Sequence, residues 1–190
     1  GRIYFTTKCG YLYSAAINAA TGEITDLKAK KYDGRQSTST PVIYKGRVYF
    51  ATGTGISSSG SGGEIVVADA STLEPIYSVG LKGYPQCSLL ISNAYEQKTG
   101  YIYVYSTYNN NPGGISVLKV KPDAKSADEA QLSELYGAAG FENYCIASII
   151  CSKDGKLYYK NDTGNVLAVG IPKAKSVMKL ISEIGDVTLN

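Results

Sequence analysis

Ser39-Thr40-Pro41-Val42-Ile43-Tyr44, then Lys45-Gly46, then Arg47-Val48-Tyr49-Phe50-Ala51-Thr52-Gly53 is the stretch whose reading decides the fold. It is an apolar strand, a two-residue turn and a second apolar strand, the signature of a β-hairpin. After a loop follow Gly63-Glu64-Ile65-Val66-Val67-Ala68-Asp69-Ala70, a turn at Ser71-Thr72, and Glu74-Pro75-Ile76-Tyr77-Ser78-Val79. The whole reads strand, tight turn, strand, loop, strand, turn, strand.

The second strand of this pattern recurs as Gly1-Arg2-Ile3-Tyr4-Phe5, Gly46-Arg47-Val48-Tyr49-Phe50, Gly100-Tyr101-Ile102-Tyr103-Val104 and Gly155-Lys156-Leu157-Tyr158-Tyr159. Successive starts at Gly1, Gly46, Gly100 and Gly155 lie 45, 54 and 55 residues apart. A four-stranded propeller blade takes roughly 40–50 residues, and the two longer spacings carry visible insertions. The third strand recurs in phase: Gly10-Tyr11-Leu12-Tyr13-Ser14-Ala15-Ala16, Gly63-Glu64-Ile65-Val66-Val67, Gly114-Ile115-Ser116-Val117-Leu118 and Gly164-Asn165-Val166-Leu167-Ala168-Val169. Each copy opens on Gly, which predicts a positive φ at each of these hairpin positions. The turns Asn18-Ala19-Ala20-Thr21-Gly22-Glu23 and Asp69-Ala70-Ser71-Thr72-Leu73-Glu74 are closed by short polar residues that bond their own backbone.

Two anchors recurring in phase over four copies argue for tandem units rather than a β-sandwich. The predicted architecture is all-β: a β-propeller of four-stranded antiparallel blades in one domain over 1–190, with units at about 1–36, 37–83, 84–142 and 143–190. The first unit opens at its second strand, so its innermost strand is missing and the chain reads as a piece of a larger propeller. The alternative is that Ser176–Asn190 returns to complete that unit.

Thr40-Pro41-Val42-Ile43, Gly46-Arg47-Val48-Tyr49 and Gly10 through Gly22 make the repeat similar to the PQQ-like (quinoprotein-like) β-propeller blade. The resemblance spans about residues 1–172. It departs at the blade-closing Trp, which is absent, with Tyr32 and Tyr77 as candidates for comparable positions. The resemblance implies a non-catalytic binding or scaffold module of an extracellular or cell-surface bacterial protein. It also admits a quinoprotein dehydrogenase, which holds its quinone over a Trp with calcium and an Asp base, or an outer-membrane assembly scaffold of similar repeats. Against the dehydrogenase, the chain has no Trp and no adjacent Cys pair, and Asp69 matches only the structural turn of the repeat.

Composition narrows the chemistry. The 190 residues include 17 Tyr but no His and no Trp, and carry a net charge of +3. Without His, Ser-His-Asp and Cys-His catalysis are excluded within this chain. Cys9, Cys87, Cys145 and Cys151 form no Cys-x-x-Cys pair, so a zinc finger is not expected. They are expected to be buried free thiols. On a regular strand Cys145 and Cys151 would lie roughly 20 Å apart on one face, too far for a disulfide. Lys28, Lys30, Lys31 and Arg35 read as a solvated edge, and no basic and aromatic face suggests nucleic acid. No apolar run is long enough to span a membrane as a helix.

A ligand is expected at the loops joining second to third strands, which in a propeller surround the channel mouth. The Gly-rich loop Gly53–Gly63, with Thr54, lacks the Gly-Lys-Ser/Thr ending of a phosphate-binding loop. Tyr108-Asn109-Asn110-Asn111-Pro112 sets an aromatic ring beside amides, chemistry that suits a glycan or a peptide. Tyr108, Asn109, Asn110, Asn111 and Thr54 are therefore the candidate ligand residues, with no catalytic residue, metal or cofactor expected. The open edge of the first strand is expected to pair with the rest of a propeller or with another copy. Lys121 to Ala130 is expected to be an exposed charged excursion containing one helical turn.

Overall fold

A computed structural model describes residues 1–54, 62–136 and 140–170. The Ser176–Asn190 segment and the centre of the Gly53–Gly63 loop lie outside the described residues. The described residues form successive antiparallel sheets. The first has the order β1 (Arg2–Thr6), β2 (Tyr11–Ile17), β3 (Ile24–Lys31). The second contains β4 (Arg35–Gln36), β5 (Val42–Tyr44), β6 (Arg47–Thr54), β7 (Gly63–Asp69) and β8 (Pro75–Leu81). The third contains β9 (Leu90–Ser92), β10 (Ile102–Tyr108), β11 (Gly114–Val120) and β12 (Gln131–Tyr136), and the fourth β13 (Ile150–Cys151), β14 (Leu157–Lys160) and β15 (Val166–Val169).

Register ties these sheets to one template. Phe5 faces Tyr13, Phe50 faces Val66, Val104 faces Leu118 and Tyr159 faces Leu167. Alternation along each second strand sends one residue set toward the preceding sheet and the other toward the following one. Thus Tyr4 of β1 joins Val48, Phe50 and Val66 of the second sheet in one apolar cluster, while Tyr49 and Val67 of that sheet join Ile102, Val104 and Leu118 of the third. Ile115 and Val117 in turn share a cluster with Leu157, Tyr159, Leu167 and Val169. Each core is therefore the space between two consecutive sheets, the arrangement of propeller blades and not of a two-sheet sandwich.

Several details differ from the sequence expectation. Arg35 and Gln36, assigned by spacing to the first unit, pair with Thr54 and Gly53 on the same edge of β6 that holds β5. The second unit's first strand is thus interrupted, β4 and β5 flanking the non-strand residues 37–41. Gly10 and Gly164 have the expected positive φ, but Gly63 and Gly114 do not. At Gly63 the requirement is space, since a Cβ would lie 2.1 Å from Pro85 Cδ and 2.7 Å from the Thr52 carbonyl. Tyr32 and Tyr77 are not register equivalents: Tyr77 faces Val67, whereas Tyr32 follows Lys31, which faces Tyr11. Tyr32 instead packs edge-on against Phe50 and donates its hydroxyl to the Leu73 carbonyl at 2.7 Å. The 121–130 excursion does contain one 3-10 turn, Ala127–Glu129, closed by a Ser126/Glu129 capping box. Its Ala124 is buried, and Arg47 donates to the Ala124 carbonyl.

Candidate functional site

Buried polar side chains are not spread evenly over the sheets. All but Ser14, in the middle of β2, lie where second strands end and third strands begin: Gln36, Ser37, Ser39, Thr52, Glu64, Ser106, Thr107, Ser116 and Asn161. That end carries the chain crossings between units, whose backbone groups leave the ladders and need other partners. Side chains supply them. Thr6 Oγ1 donates to the Ser39 carbonyl at 2.6 Å, and Thr107 Oγ1 to the Ala147 carbonyl at 2.9 Å. Ser37 Oγ donates to the Ala51 carbonyl at 2.6 Å, while Cys145 Sγ donates to the Lys160 carbonyl at 3.0 Å and Cys87 Sγ to the Thr107 carbonyl at 3.6 Å. Arg35 forms an ion pair with Glu64 at the same end.

The Asn-rich loop sits here too, anchored rather than free. Asn109 N–H donates to the Tyr84 carbonyl and Tyr84 N–H to Asn110 Oδ1, both at 2.7 Å. Asn109 Nδ2 donates to Gln86 Oε1 at 2.7 Å, and Asn109 Oδ1 is buried with no hydrogen-bond partner among the described residues. Tyr108 does not present an aromatic face: it is 2% exposed, and its hydroxyl donates to Glu134 Oε1 at 2.7 Å. Burial, reinforced by that carboxylate, pushes the phenol well above its ordinary pKa. Gly83 makes this possible, because a Cβ there would come within 2.4 Å of the Tyr108 ring and 2.6 Å of Asn110 Oδ1. Asn110 is half-buried and Asn111 exposed. Thr54 closes β6 opposite Arg35. The structure therefore brings Asn109, Asn110 and Asn111 together on one rim and sets Tyr108 beneath them.

Sequence reasoning missed a concavity at this end. A cavity of about 340 Å³ is lined by Lys8, Cys9, Lys31, Tyr32, Gly34, Arg35 and Gln36. Its signal was the Asp33-Gly34 turn after Lys31, which spacing alone could not place. Cys9 is exposed, as is Cys151, so only Cys87 and Cys145 follow the expectation of burial; all four are free. Residues 141–149 are not a strand, so Cys145 and Cys151 do not share a regular face. Asp69 lies in the β7–β8 turn, where Oδ1 accepts from the N–H and hydroxyl groups of Ser71 and Thr72 at 2.6–3.1 Å. The Ser71 hydroxyl and these other donors hold its carboxyl down to about 2.

No protein-family profile matches the chain, and no curated protein matches it. Solved structures do. The quinohemoprotein alcohol dehydrogenase from Comamonas testosteroni superposes with a TM-score of 0.57 at 15% identity, over 89% of this chain and 32% of that one. A quinohemoprotein alcohol dehydrogenase from Pseudomonas putida HK5 gives 0.55 at 14% identity, over 89% and 31%. The fold is that of a quinoprotein-type β-propeller. The chain spans about a third of the length of each of these enzymes.

The chain contains no Trp to lie against a quinone. Among the described residues no group of three or more Cys, Asp and Glu could hold a metal ion. Asp69 is committed to its turn and is far too acidic to act as a base near neutral pH. No helix among the described residues is long and apolar enough to cross a membrane.

Proposed function

We propose that this chain is a non-catalytic binding or scaffold module of an extracytoplasmic or cell-surface protein, engaging a polar ligand, glycan or peptide, at the end where second strands meet third strands. The observation that carries this reading is the concentration of polar side chains at that one end, including the buried Asn109 Oδ1, which has no hydrogen-bond partner among the described residues. Asn109, Asn110 and Asn111 form the rim that meets the ligand, with Thr54 on the neighbouring strand end. Tyr108 supports the rim from below through Glu134. Amide groups supply both donors and acceptors, which suits hydroxyls or peptide groups. The extracytoplasmic setting rests on the resemblance of the repeat to cell-surface propellers.

A labelled chain probed against glycan and peptide arrays tests this reading. Binding that weakens at least tenfold in Asn109→Ala and Asn111→Ala supports it. Absence of binding on both arrays, or binding indifferent to both variants, contradicts it. Incubation with pyrroloquinoline quinone and calcium followed by gel filtration separates the dehydrogenase reading, since retained quinone absorbance would favour that alternative.

A further inference from the structure

Two turns press together where the first sheet meets the second. Gly10 N–H donates to the Thr7 carbonyl at 3.0 Å, closing the β1–β2 turn. Tyr32 N–H donates to the Gly10 carbonyl at 2.8 Å, and Arg35 N–H to the Tyr32 carbonyl at 3.3 Å. Gly10 holds a φ of +82°, and a Cβ there would lie 2.4 Å from the Arg35 carbonyl oxygen, so glycine alone permits this approach. The cavity of about 340 Å³ opens over these two turns. Its backbone floor is set by hydrogen bonds within the chain, and its volume falls at the lower end of small-molecule sites.

The charged residues in its lining carry one sign. Lys8 comes from the first turn, Lys31 and Arg35 from the segment around the second, and neither Asp nor Glu lines the cavity. The cavity at the other end of β6 is different, since Lys45 and Arg47 share it with Glu96 and Asp123. Glu64 pairs with Arg35, but a guanidinium carries more donors than one carboxylate can take. Asp33 lies 3.3 Å from Lys31, yet both side chains are more than half exposed, and such pairs are weak and exchange readily. Lys8 is exposed and has no ion-pair partner among the described residues. Tyr32 commits its hydroxyl to the Leu73 carbonyl, which leaves its ring as an apolar wall.

We propose that this cavity binds a compact organic oxyanion, a carboxylate or a phosphate ester, held by Lys8, Lys31 and Arg35. The two ammonium groups supply point charges on flexible stems, and the guanidinium adds directed hydrogen bonds to the anionic oxygens. The Tyr32 ring lies against the carbon frame of the ligand. A neutral molecule gains nothing from the three cations, so charge decides the selectivity. The site belongs to the junction of the first and second sheets, whereas the Asn109–Asn111 rim belongs to the third sheet, and the two stand or fall separately. Cys9 lines the cavity with an exposed thiol and reports on its occupancy; Cys151, exposed on the fourth sheet, is the control.

Glucuronate and glucose 6-phosphate, each titrated at constant ionic strength with glucose as the neutral control, test the proposal. The amide resonances of Cys9, Gly34 and Gln36 should shift saturably with one or both anions and not with glucose. A response to one anion alone decides between carboxylate and phosphate ester. At saturation, alkylation of Cys9 by iodoacetamide should slow by about threefold or more while that of Cys151 is unchanged. Lys8→Gln combined with Lys31→Gln leaves the Arg35–Glu64 pair intact and should weaken binding by about fivefold or more. Circular dichroism identifies folded variants, and Lys8→Gln alone, with a loss of about twofold or more, replaces the double variant if that fails to fold. Absence of a saturable shift with both anions overturns the proposal, as does glucose acting like the anions. So does unchanged Cys9 alkylation at saturation, or a folded variant that binds as tightly as the native chain.

Discussion

Ser37, Cys87 and Cys145 share one task, each donating to a carbonyl of the adjacent second strand where the chain crosses between units. The sequence showed these cysteines only as small residues near apolar runs; that Ser37 stands in for them became visible through register. A small donor is what the place needs, so Cys145→Ser should change stability by less than about 1 kcal/mol in urea denaturation. Cys145→Val removes the donor and should lose about 1 kcal/mol or more. Thiol titration of the native chain should find Cys9 and Cys151 reactive, with Cys87 and Cys145 protected until unfolding. Burial pushes the Cys145 thiol pKa up, which slows it further. Leu73 presents two opposed effects. It holds a φ of 65°, in the place where the matching first turn has Gly22 at 74°, yet it is fully buried. Glycine holds the same left-handed φ without the Cβ clash, which relieves about 1–2 kcal/mol, whereas truncating a buried Leu costs about 2–5 kcal/mol. Leu73→Gly should therefore destabilise by about 1–3 kcal/mol, and a stabilised variant would contradict the assignment of Leu73 to the core.

At the scale of elements, the β7–β8 turn is a pH-sensitive part of the fold. Asp69 titrates at about 2, below its ordinary 3.8, so its ionised form favours the folded state. That contribution is present in full above about pH 4 and disappears as pH falls through about 2. Asp69→Ala should lower stability by about 1 kcal/mol at neutral pH, through lost turn bonds, and should flatten the acid limb of the stability curve. An unchanged acid limb would show that the turn is not formed as described. This turn was legible because a short polar residue followed by Ser and Thr has few other uses. β5 was legible in its hairpin, but β4 was not: Arg35 and Gln36 are too few to show a period, and their partners Thr54 and Gly53 are distant in sequence. The Asn loop was only partly legible. Composition showed donors and acceptors, but the direction of the Tyr108 ring depended on Gly83 and Glu134, which belong to other segments.

For the whole molecule, the four second strands carried the fold. Tyr4, Tyr49, Tyr103 and Tyr158 repeat at one place, and the residues on either side of each alternate between two neighbours. What the pattern could not reveal is how completely each face is covered: Ile3, Phe5, Ile150 and Val166 are exposed, whereas Val48, Phe50, Leu157 and Tyr159 are buried. The central claim is that each sheet packs only on its sequence neighbours. Methyl–methyl nuclear Overhauser contacts in a sample labelled at Ile, Leu and Val test it most directly. Contacts should link Leu12 with the Val48 and Val66 cluster, Val67 with the Ile102 and Val104 cluster, and Val117 with the Leu167 and Val169 cluster. Within one molecule, contacts joining methyls of the first and third sheets, as two sheets packed in a sandwich would give, would contradict the account.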